Sequence, residues 1–259
     1  MAGEVVHLVM ISFLARHAAV DVHYHQCFQI VVSLKRPIDS VIGGTLYQGL
    51  CGFIVNQYVT HSCRAEDSPA LVYFIDAESY EGWQLKQMLD GRPFVEVDFI
   101  PEVGEGDMVK FSMEVLGRVL PGFGEGRVVD GRFVGERVID GRIGEALAYI
   151  DDRLDQPLEL EEVAGKVFLS SERLRHLFVQ EVGVAFSQYV LWKRMKNVIY
   201  QVLQKGLPMS AASVQSGFTD QAHFTRIFRR TFGVSAKGVL KNSRYVQFLS
   251  PYVGVDLFS

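Results

Sequence analysis

Two stretches of the sequence decide the fold of its C-terminal half, SSERLRHLFVQEVG at residues 170–183 and TDQAHFTRIFRRTFG at residues 219–233. Each contains a serine or aspartate suited to cap a helix at its start and a glycine suited to terminate one at its end. Between these ends, apolar residues recur three and four positions apart, which predicts a helix with one buried face. We therefore expect one helix that runs to about Val182 and a second at about Asp220–Phe232.

A shorter helix is predicted ahead of each of these, at about Glu159–Val167 and Met209–Ser216. A short helix, a turn of three or four residues and a capped second helix make up a helix-turn-helix unit, so we place two units at Leu158–Val179 and Gly206–Arg229. A longer helix of about 20 residues, Ala185–Gln204, joins them and spans about 30 Å. That length is close to the ~34 Å between successive major-groove faces of a duplex.

The outward faces of the second helices carry side chains that can meet base edges and phosphates. Arginine suits guanine through its fork and glutamine suits adenine, whereas other basic side chains contact phosphates. A single helix with arginines outside is also typical of any solvated face, but two such units on one connector favour DNA. Residues 166–250 carry 13 Lys and Arg against 3 Asp and Glu, whereas residues 1–143 carry 12 against 19. An acidic half joined to a basic half indicates that only the C-terminal half meets a polyanion. The sequence thus predicts a site for double-stranded DNA made by Glu172, Arg173, Arg175, His176, Gln221, His223, Thr225, Arg226, Arg229 and Arg230.

The stretch Ile143–Arg244 resembles the DNA-binding domain of the AraC/XylS transcription regulators. Carrying the resemblance are LEEVA at residues 160–164, LRHLF at residues 174–178 and GFTDQAHFTRIFRRTFGVS at residues 217–235. The resemblance implies an all-α domain of seven helices, in two three-helix units joined by the long one, and a function in transcription regulation. Family members usually have proline where this chain has Ala236, so we expect the last helix to start less firmly.

The first 76 residues have the pattern of a β domain. Short runs rich in Val, Ile, Phe and Tyr, separated by turn signals, favour a small sandwich or barrel. The predicted strands are Val5–Leu14, Cys27–Leu34, Gly52–Val59 and Ala70–Ile75. Helices are expected at Tyr80–Leu89 and Asp107–Leu120, the second with an apolar stripe of Met108, Phe111, Val115 and Val119. The stripe motivates a prediction of dimerisation through this half, although such a stripe also packs on its own domain.

Residues 1–78 also resemble, less specifically, the cupin-like β-barrel that regulators of this family carry as a sensing domain. The segment from His23 to Gln29 resembles the His-x-His…Glu start of a cupin motif with Gln29 where Glu is usual, and Gly52 to His61 resembles its second half. The predicted fold class is therefore α+β with two domains. A cupin-like barrel with flanking helices covers residues 1–121, a glycine-rich linker residues 122–139 and the helical DNA-binding domain residues 140–245.

The histidines of this barrel are the candidate effector site. His23, His25 and Cys27 alternate along the chain, as do His61 and Cys63, so each set is expected on one strand face. We prefer the interpretation that His23, His25 and His61 line a pocket for a small-molecule effector, because Gln29 removes a common oxygen ligand. The alternative is a soft or borderline metal held by the three imidazoles and the thiols of Cys27 and Cys63. No cofactor is predicted.

Two functions from different classes remain open. One is a regulator whose barrel binds an effector and whose helical half binds a promoter, with RNA polymerase and a second copy of the chain as further candidate partners. The other is a cupin-type metalloenzyme fused to a DNA-targeting domain, although no general base stands out beside the histidines. No apolar run reaches the roughly 18 residues of a membrane span, and the N-terminus lacks the pattern of a signal peptide. The expected location is the cytoplasm. The glycine-rich run at residues 122–126 is interpreted as linker, with a phosphate-binding loop as the alternative.

Overall fold

The computed structural model describes residues 10–15, 18–65, 68–103, 107–121, 123, 127–129, 132–134, 139–240 and 246–249. The chain divides into two compact units, Met1–Arg137 together with Arg244–Ser259, and Val138–Ser243. No described helix is both long enough and apolar enough to cross a membrane.

The N-terminal unit is built from short strands and two helices. Its strands are β1 (Met10–Ala15), β2 (Ala18–His23), β3 (Phe28–Ser33), β4 (Ile38–Ile42), β5 (Thr45–Leu50), β6 (Gly52–Val55), β7 (His61–Ala65), β8 (Ala70–Ile75), β9 (Phe94–Val97), β10 (Arg127–Val129), β11 (Arg132–Val134) and β12 (Val246–Leu249). Its helices are α1 (Tyr80–Leu89) and α2 (Met108–Val119). The helix predictions are confirmed, with Ser79 and Asp107 as the N-caps.

The strands form two main antiparallel sheets. The first has the order β12-β1-β8-β3-β6-β9 and the second the order β2-β7-β4-β5. Hydrogen bonding does not continue from one of these sheets into the other among the described strands, so the barrel predicted from the sequence is a two-sheet sandwich there. The strand predicted at Gly52–Val59 ends at Val55, and β4, β5, β9, β10, β11 and β12 had no counterpart among the predicted strands.

The six-stranded sheet lies in the middle of the unit. One face packs on α1 and α2 through residues such as Ile30, Tyr73 and Leu116. The other face packs on the four-stranded sheet through residues such as Val31 and Phe53. Because β3 is covered on both faces, all six of its residues are buried, including the polar Gln29 and Ser33.

The apolar stripe of α2 is part of this core. Val115 and Val119 are buried, and Met108 and Phe111 are partly buried against the same cluster. The stripe therefore packs on its own unit, which removes the observation that motivated a dimer interface there. In the glycine-rich run at residues 122–126 only residue 123 is described, so both interpretations of that run lie outside the described residues. Beyond it, β10 pairs with β11, and Val129 lies opposite Arg132.

The C-terminal unit is entirely helical among its described residues. Its helices are α3 (Gly141–Asp151), α4 (Leu160–Lys166), α5 (Ser171–Val182), α6 (Phe186–Gln204), α7 (Met209–Gln215), α8 (Gln221–Phe232) and α9 (Ala236–Leu240). The helices predicted from periodicity are confirmed to within one or two residues. A helix over about Ile143–Leu154 is also expected from the apolar spacing of Leu147, Ile150 and Leu154, and the observed α3 ends three residues earlier, at Asp151. At α9 the Ser235 hydroxyl accepts a hydrogen bond from the Gly238 amide at 3.3 Å, so serine caps the helix that lacks the usual proline.

Candidate functional site

The first helix-turn-helix unit consists of α4, a short turn and α5. The Ser170 hydroxyl caps α5 by accepting from the Arg173 amide at 3.2 Å, and Gly183 ends the helix at φ 84°. Leu174, Leu177 and Phe178 are buried on the inner face. The outer face presents the predicted side chains, since all four are exposed: Glu172, Arg173, Arg175 and His176.

The second unit repeats this plan with α7 and α8. Asp220 caps α8 by accepting from the His223 amide at 2.7 Å, and Gly233 ends it at φ 66°. Three phenylalanines form the buried face of α8, at positions 224, 228 and 232. The outer face exposes Gln221, Arg226, Arg229 and Arg230.

Two predicted members of this face are less available than the others. His223 is half-buried and packs edge-on against Phe218, with 5.3 Å between ring centroids. Thr225 is also half-buried, and its hydroxyl donates to the Gln221 carbonyl at 2.8 Å. The four exposed side chains of α8 are therefore better placed than these two to meet a ligand.

The long helix α6 packs on both second helices. Tyr189 lies 5.4 Å from Phe178 of α5, and Trp192 lies 6.0 Å from Phe232 of α8, measured between ring centroids. Both α6 side chains are buried. With 19 residues, α6 spans about 28 Å. The two outer faces are thus carried by helices anchored to one connector, as the sequence predicts.

The turn of the second unit depends on Gly217. This residue has φ +83°, and a Cβ atom built on it would lie 2.3 Å from the Leu154 carbonyl oxygen and 2.6 Å from Arg194 Nε. Arg194 donates to the carbonyls of Leu154 and Gln156 at 2.9 and 2.6 Å. The turn before α8 is therefore packed directly against the chain that follows α3, and only glycine fits there.

The turn of the first unit holds a residue that the sequence reasoning missed. Phe168 is 95% exposed and has φ 55°, in the left-handed region. A phenylalanine in that conformation is strained by about 1–2 kcal/mol, and the exposed ring contributes nothing to the core. The exposure of Phe168 could not be predicted from the sequence, because it stands between two other apolar residues, Val167 and Leu169, and apolar residues are usually buried.

The three predicted histidines of the N-terminal unit lie together at one end of the two sheets. His23 is the last residue of β2, His61 is the first of β7, and the backbone pairs them. The ring centroids of His23 and His61 are 4.2 Å apart, and those of His25 and His61 are 5.0 Å apart. All three side chains are buried, and Phe74 of β8 covers His25 at 5.3 Å.

The convergence was predicted for a reason that is partly wrong. His25 does not continue β2 but lies in the connection to β3, so alternation along one strand does not place it. The thiols stand apart from the imidazole nitrogens that converge. The Cys27 sulfur lies 3.4 Å from Nδ1 of His25, the nitrogen that does not converge with the other rings. Among the described residues, the group close enough to share a metal ion consists of the three histidines, without Cys27 or Cys63.

Burial sets the protonation of these groups. It lowers the pKa of His25 to about 4 and the pKa of His61 to about 2, and it also lowers the pKa of His23. Burial raises the pKa of the Cys63 thiol to about 12. The cluster therefore consists of neutral imidazoles at neutral pH, with a protonated thiol two residues from His61.

Sequence comparison identifies the helical unit. A family described as a helix-turn-helix domain matches residues 163–242. The arabinose operon regulatory protein of Escherichia coli (strain K12) is 33% identical over 98 residues, which cover 38% of this chain and 34% of that protein. Residues 163–242 form a helix-turn-helix domain similar to that of this regulator, an AraC-type domain. The multiple antibiotic resistance protein MarA of the same organism is 29% identical over 92 residues, which cover 36% of this chain and 72% of MarA.

The AraC-type domain accounts for only part of the chain. The match spans about a third of the arabinose operon regulatory protein's own length. The whole fold is similar to that of ToxT from Vibrio cholerae, with a TM-score of 0.53 over 90% of this chain and 98% of that one, at 11% identity. The similarity of fold covers the sheet-rich unit as well as the AraC-type domain. The arabinose operon regulatory protein is described as a regulator and not as an enzyme, so this match gives the metalloenzyme alternative no support.

Proposed function

We propose that this chain is a transcription regulator that binds double-stranded promoter DNA sequence-specifically through both helix-turn-helix units. One observation carries the proposal: α5 and α8 are each capped at both ends, buried on one face, and open on the other through exposed arginines. Both are anchored on the same long helix of an AraC-type domain. Two second helices on one connector suit adjacent major-groove segments of one duplex.

Within this interface we assign base reading to Arg175 on α5 and Arg226 on α8. Both are exposed, and an arginine fork can bond both acceptors of guanine in the major groove. His176, Gln221 and His223 are further members of the base-reading set. The remaining basic side chains, Arg173, Arg229 and Arg230, set the register of the protein on the phosphates. The Glu172 carboxylate can only accept hydrogen bonds, for which the amino group of cytosine is the suitable partner, and Thr225 completes the proposed set.

The test is a titration of the full chain against two duplexes at fixed salt, one selected from a random pool and one of scrambled sequence. Arg226→Ala and Arg175→Ala should each weaken the selected duplex by roughly 1–3 kcal/mol, or about 5- to 150-fold, and the scrambled duplex much less. Arg142→Ala, which removes an exposed cation paired with Asp140 at 2.7 Å, is the matched control and should change neither affinity substantially. Equal losses on both duplexes would make the two arginines phosphate contacts.

We further propose that the N-terminal unit senses an effector at the pocket lined by His23, His25 and His61. The support is their common burial and convergence at one end of the sheets. ToxT, whose fold is similar, has been solved with an unsaturated fatty acid bound. Replacing His23 and His25 with alanine should abolish the effector response of a reporter and leave DNA affinity intact. An unchanged dose response would place the pocket elsewhere.

Contacts to RNA polymerase and to a second copy of the chain complete the proposal. A regulator bound at a promoter is close to the polymerase recruited there, and the N-terminal unit carries none of the proposed DNA contacts, so it is the unit to which we assign self-association. Since the stripe of α2 is buried in its own unit, a dimer interface must use a different face. Sedimentation of the full chain at micromolar concentration checks this, and a monomer throughout would contradict the dimer.

A further inference from the structure

We propose that His23, His25 and His61 form a binding site for one divalent transition-metal ion, with the Nε2 atom of each ring as the ligand. The inference deepens the proposed effector site by naming the ligand class. Only the claim that the ion acts as the effector rests on the proposed function, since metal binding itself follows from the arrangement of the three rings.

The Nδ1 atoms of all three rings are already engaged. Each lies 2.8 Å from a backbone carbonyl oxygen two residues away in sequence, those of Asp21, Cys27 and Val59. A carbonyl oxygen only accepts hydrogen bonds, so each Nδ1 must carry the hydrogen. A neutral imidazole has one N–H, and the lone pair of each ring is therefore on Nε2. A backbone carbonyl on the far nitrogen is one of the usual partners that orient metal-binding histidines in proteins.

The free nitrogens face one another in a buried space. One ligating nitrogen of each ring lies within 4.8 Å of those of the other two. Nε2 of His23 and Nε2 of His61 are buried with no hydrogen-bond partner among the described residues. An unpaired buried acceptor is costly, and three lone pairs directed into one space also repel each other. A cation between them would satisfy all three.

The spacing is within reach of a coordinated ion. An ion centred on three nitrogens 4.8 Å apart would lie about 2.8 Å from each of them. Zinc–imidazole bonds are about 2.0–2.1 Å, so each nitrogen needs to move by at most about 0.7 Å. Rotation of a side chain can supply such a shift without moving the backbone.

Gln29 marks a fourth position. Its Oε1 lies 3.3 Å from Nε2 of His25, which is about the separation of two ligands on one tetrahedral ion with bonds near 2.05 Å. Nε2 of His25 and Oε1 of Gln29 are both acceptors and do not bond to each other. Either a cation lies between them, or the Gln29 amide is rotated so that its nitrogen donates to His25. Three nitrogens with a neutral oxygen or an exchangeable ligand suit Zn²⁺, Co²⁺ or Ni²⁺ rather than Ca²⁺ or Mg²⁺, which prefer oxygen cages.

The experiment uses the full chain after treatment with a chelator, titrated with Co²⁺ and then with Zn²⁺. We expect one Co²⁺ per chain, the visible absorption of a four-coordinate ion, and its displacement by Zn²⁺. His61→Gln should lower the affinity at least 100-fold. Cys51→Ser removes a potential metal ligand outside the cluster and should leave the stoichiometry at one. Gln29→Glu supplies an anionic oxygen beside His25 and should raise the affinity.

Wild-type protein gives a second readout that is independent of whether the variants fold. X-ray absorption of the Zn²⁺-loaded chain should show a shell of imidazole nitrogens, and a sulfur shell would overturn the site. Binding that survives in folded His61→Gln, or no stoichiometric binding by wild type, would also overturn it. Metal binding that leaves the affinity for a selected duplex unchanged supports the site and contradicts its role as the effector site, so the two failures are distinguishable.

Discussion

Replacing Gly217 with alanine tests whether the turn of the second helix-turn-helix unit is held as the structure describes. The residue adopts φ +83°, and an added Cβ would meet the Leu154 carbonyl oxygen at 2.3 Å and Arg194 Nε at 2.6 Å. The methyl group therefore has to displace both a backbone oxygen and the guanidinium that bonds to it.

The cost follows from these contacts. A non-glycine residue in the left-handed region loses about 1–2 kcal/mol. Moving Arg194 weakens its hydrogen bonds to the carbonyls of Leu154 and Gln156, and one bond to a charged donor contributes about 1.5–3 kcal/mol. Since Arg194 is only half-buried, we take the lower end. Gly217→Ala should then destabilise the C-terminal unit by about 3 kcal/mol and reduce DNA affinity, because the orientation of α8 depends on this turn.

Two other glycines serve as matched controls. Gly206 has φ +64° but nothing within 4 Å of its added Cβ, and Gly165 lies in α4 with equally open surroundings. Gly206→Ala should cost only the backbone strain of about 1–2 kcal/mol, and Gly165→Ala should stabilise by about 0.5–1 kcal/mol. Urea unfolding of the full chain, followed by helical circular dichroism, ranks the three variants. A loss for Gly217→Ala no larger than that for Gly206→Ala would refute the packing of this turn.

Three further perturbations have defined outcomes. In metal-free protein, His25 has a pKa of 6.5 in the unfolded chain and about 4 in the folded one, so between these pH values only the unfolded chain binds the proton. The free energy of unfolding should therefore be highest above pH 6.5 and fall by about 3 kcal/mol as the pH drops to 4. Urea midpoints should show this loss, and the loss should be smaller in His25→Gln. Phe168→Gly should stabilise the C-terminal unit by about 0.5–1 kcal/mol, because glycine adopts the left-handed conformation without strain. Phe168→Ala keeps the strained backbone and should not stabilise. Equal melting temperatures for these two variants would contradict the strain at residue 168. A chain that ends at residue 243 lacks β12, which pairs with four residues of β1. The free energy of unfolding of the N-terminal unit should fall by about 2–4 kcal/mol, and the exposed edge of β1 should promote aggregation, while DNA binding persists. An unchanged urea midpoint would show that β12 does not stabilise the unit.

The C-terminal unit could be predicted from sequence because its signals are local. Ser170 and Asp220 cap helices, Gly183 and Gly233 end them, and apolar spacing of three and four residues selects the buried face. Each of these features acts within one or two helical turns. The outward position of Arg226 followed from the same periodicity.

The N-terminal unit was less predictable because its pairing is long-range. β12 joins β1 from more than 230 residues away, and no local pattern encodes such a partner. The histidine cluster was predicted from alternation, yet His25 lies outside any strand, and only the meeting of β2 with β7 brings His61 to it. The free Nε2 atoms and the carbonyls on Nδ1 depend on side-chain geometry that spacing does not contain.

The most direct test of DNA reading by both units is a base-by-base interference footprint of the full chain on a duplex selected from a random pool. Two patches of essential bases should lie in the major groove on one face, about one helical turn or ~10 base pairs apart. Arg175→Ala should remove base discrimination in one patch and Arg226→Ala in the other. A single patch that responds to only one of these variants, or a pool that yields no preferred sequence, would contradict recognition by two helix-turn-helix units on one connector.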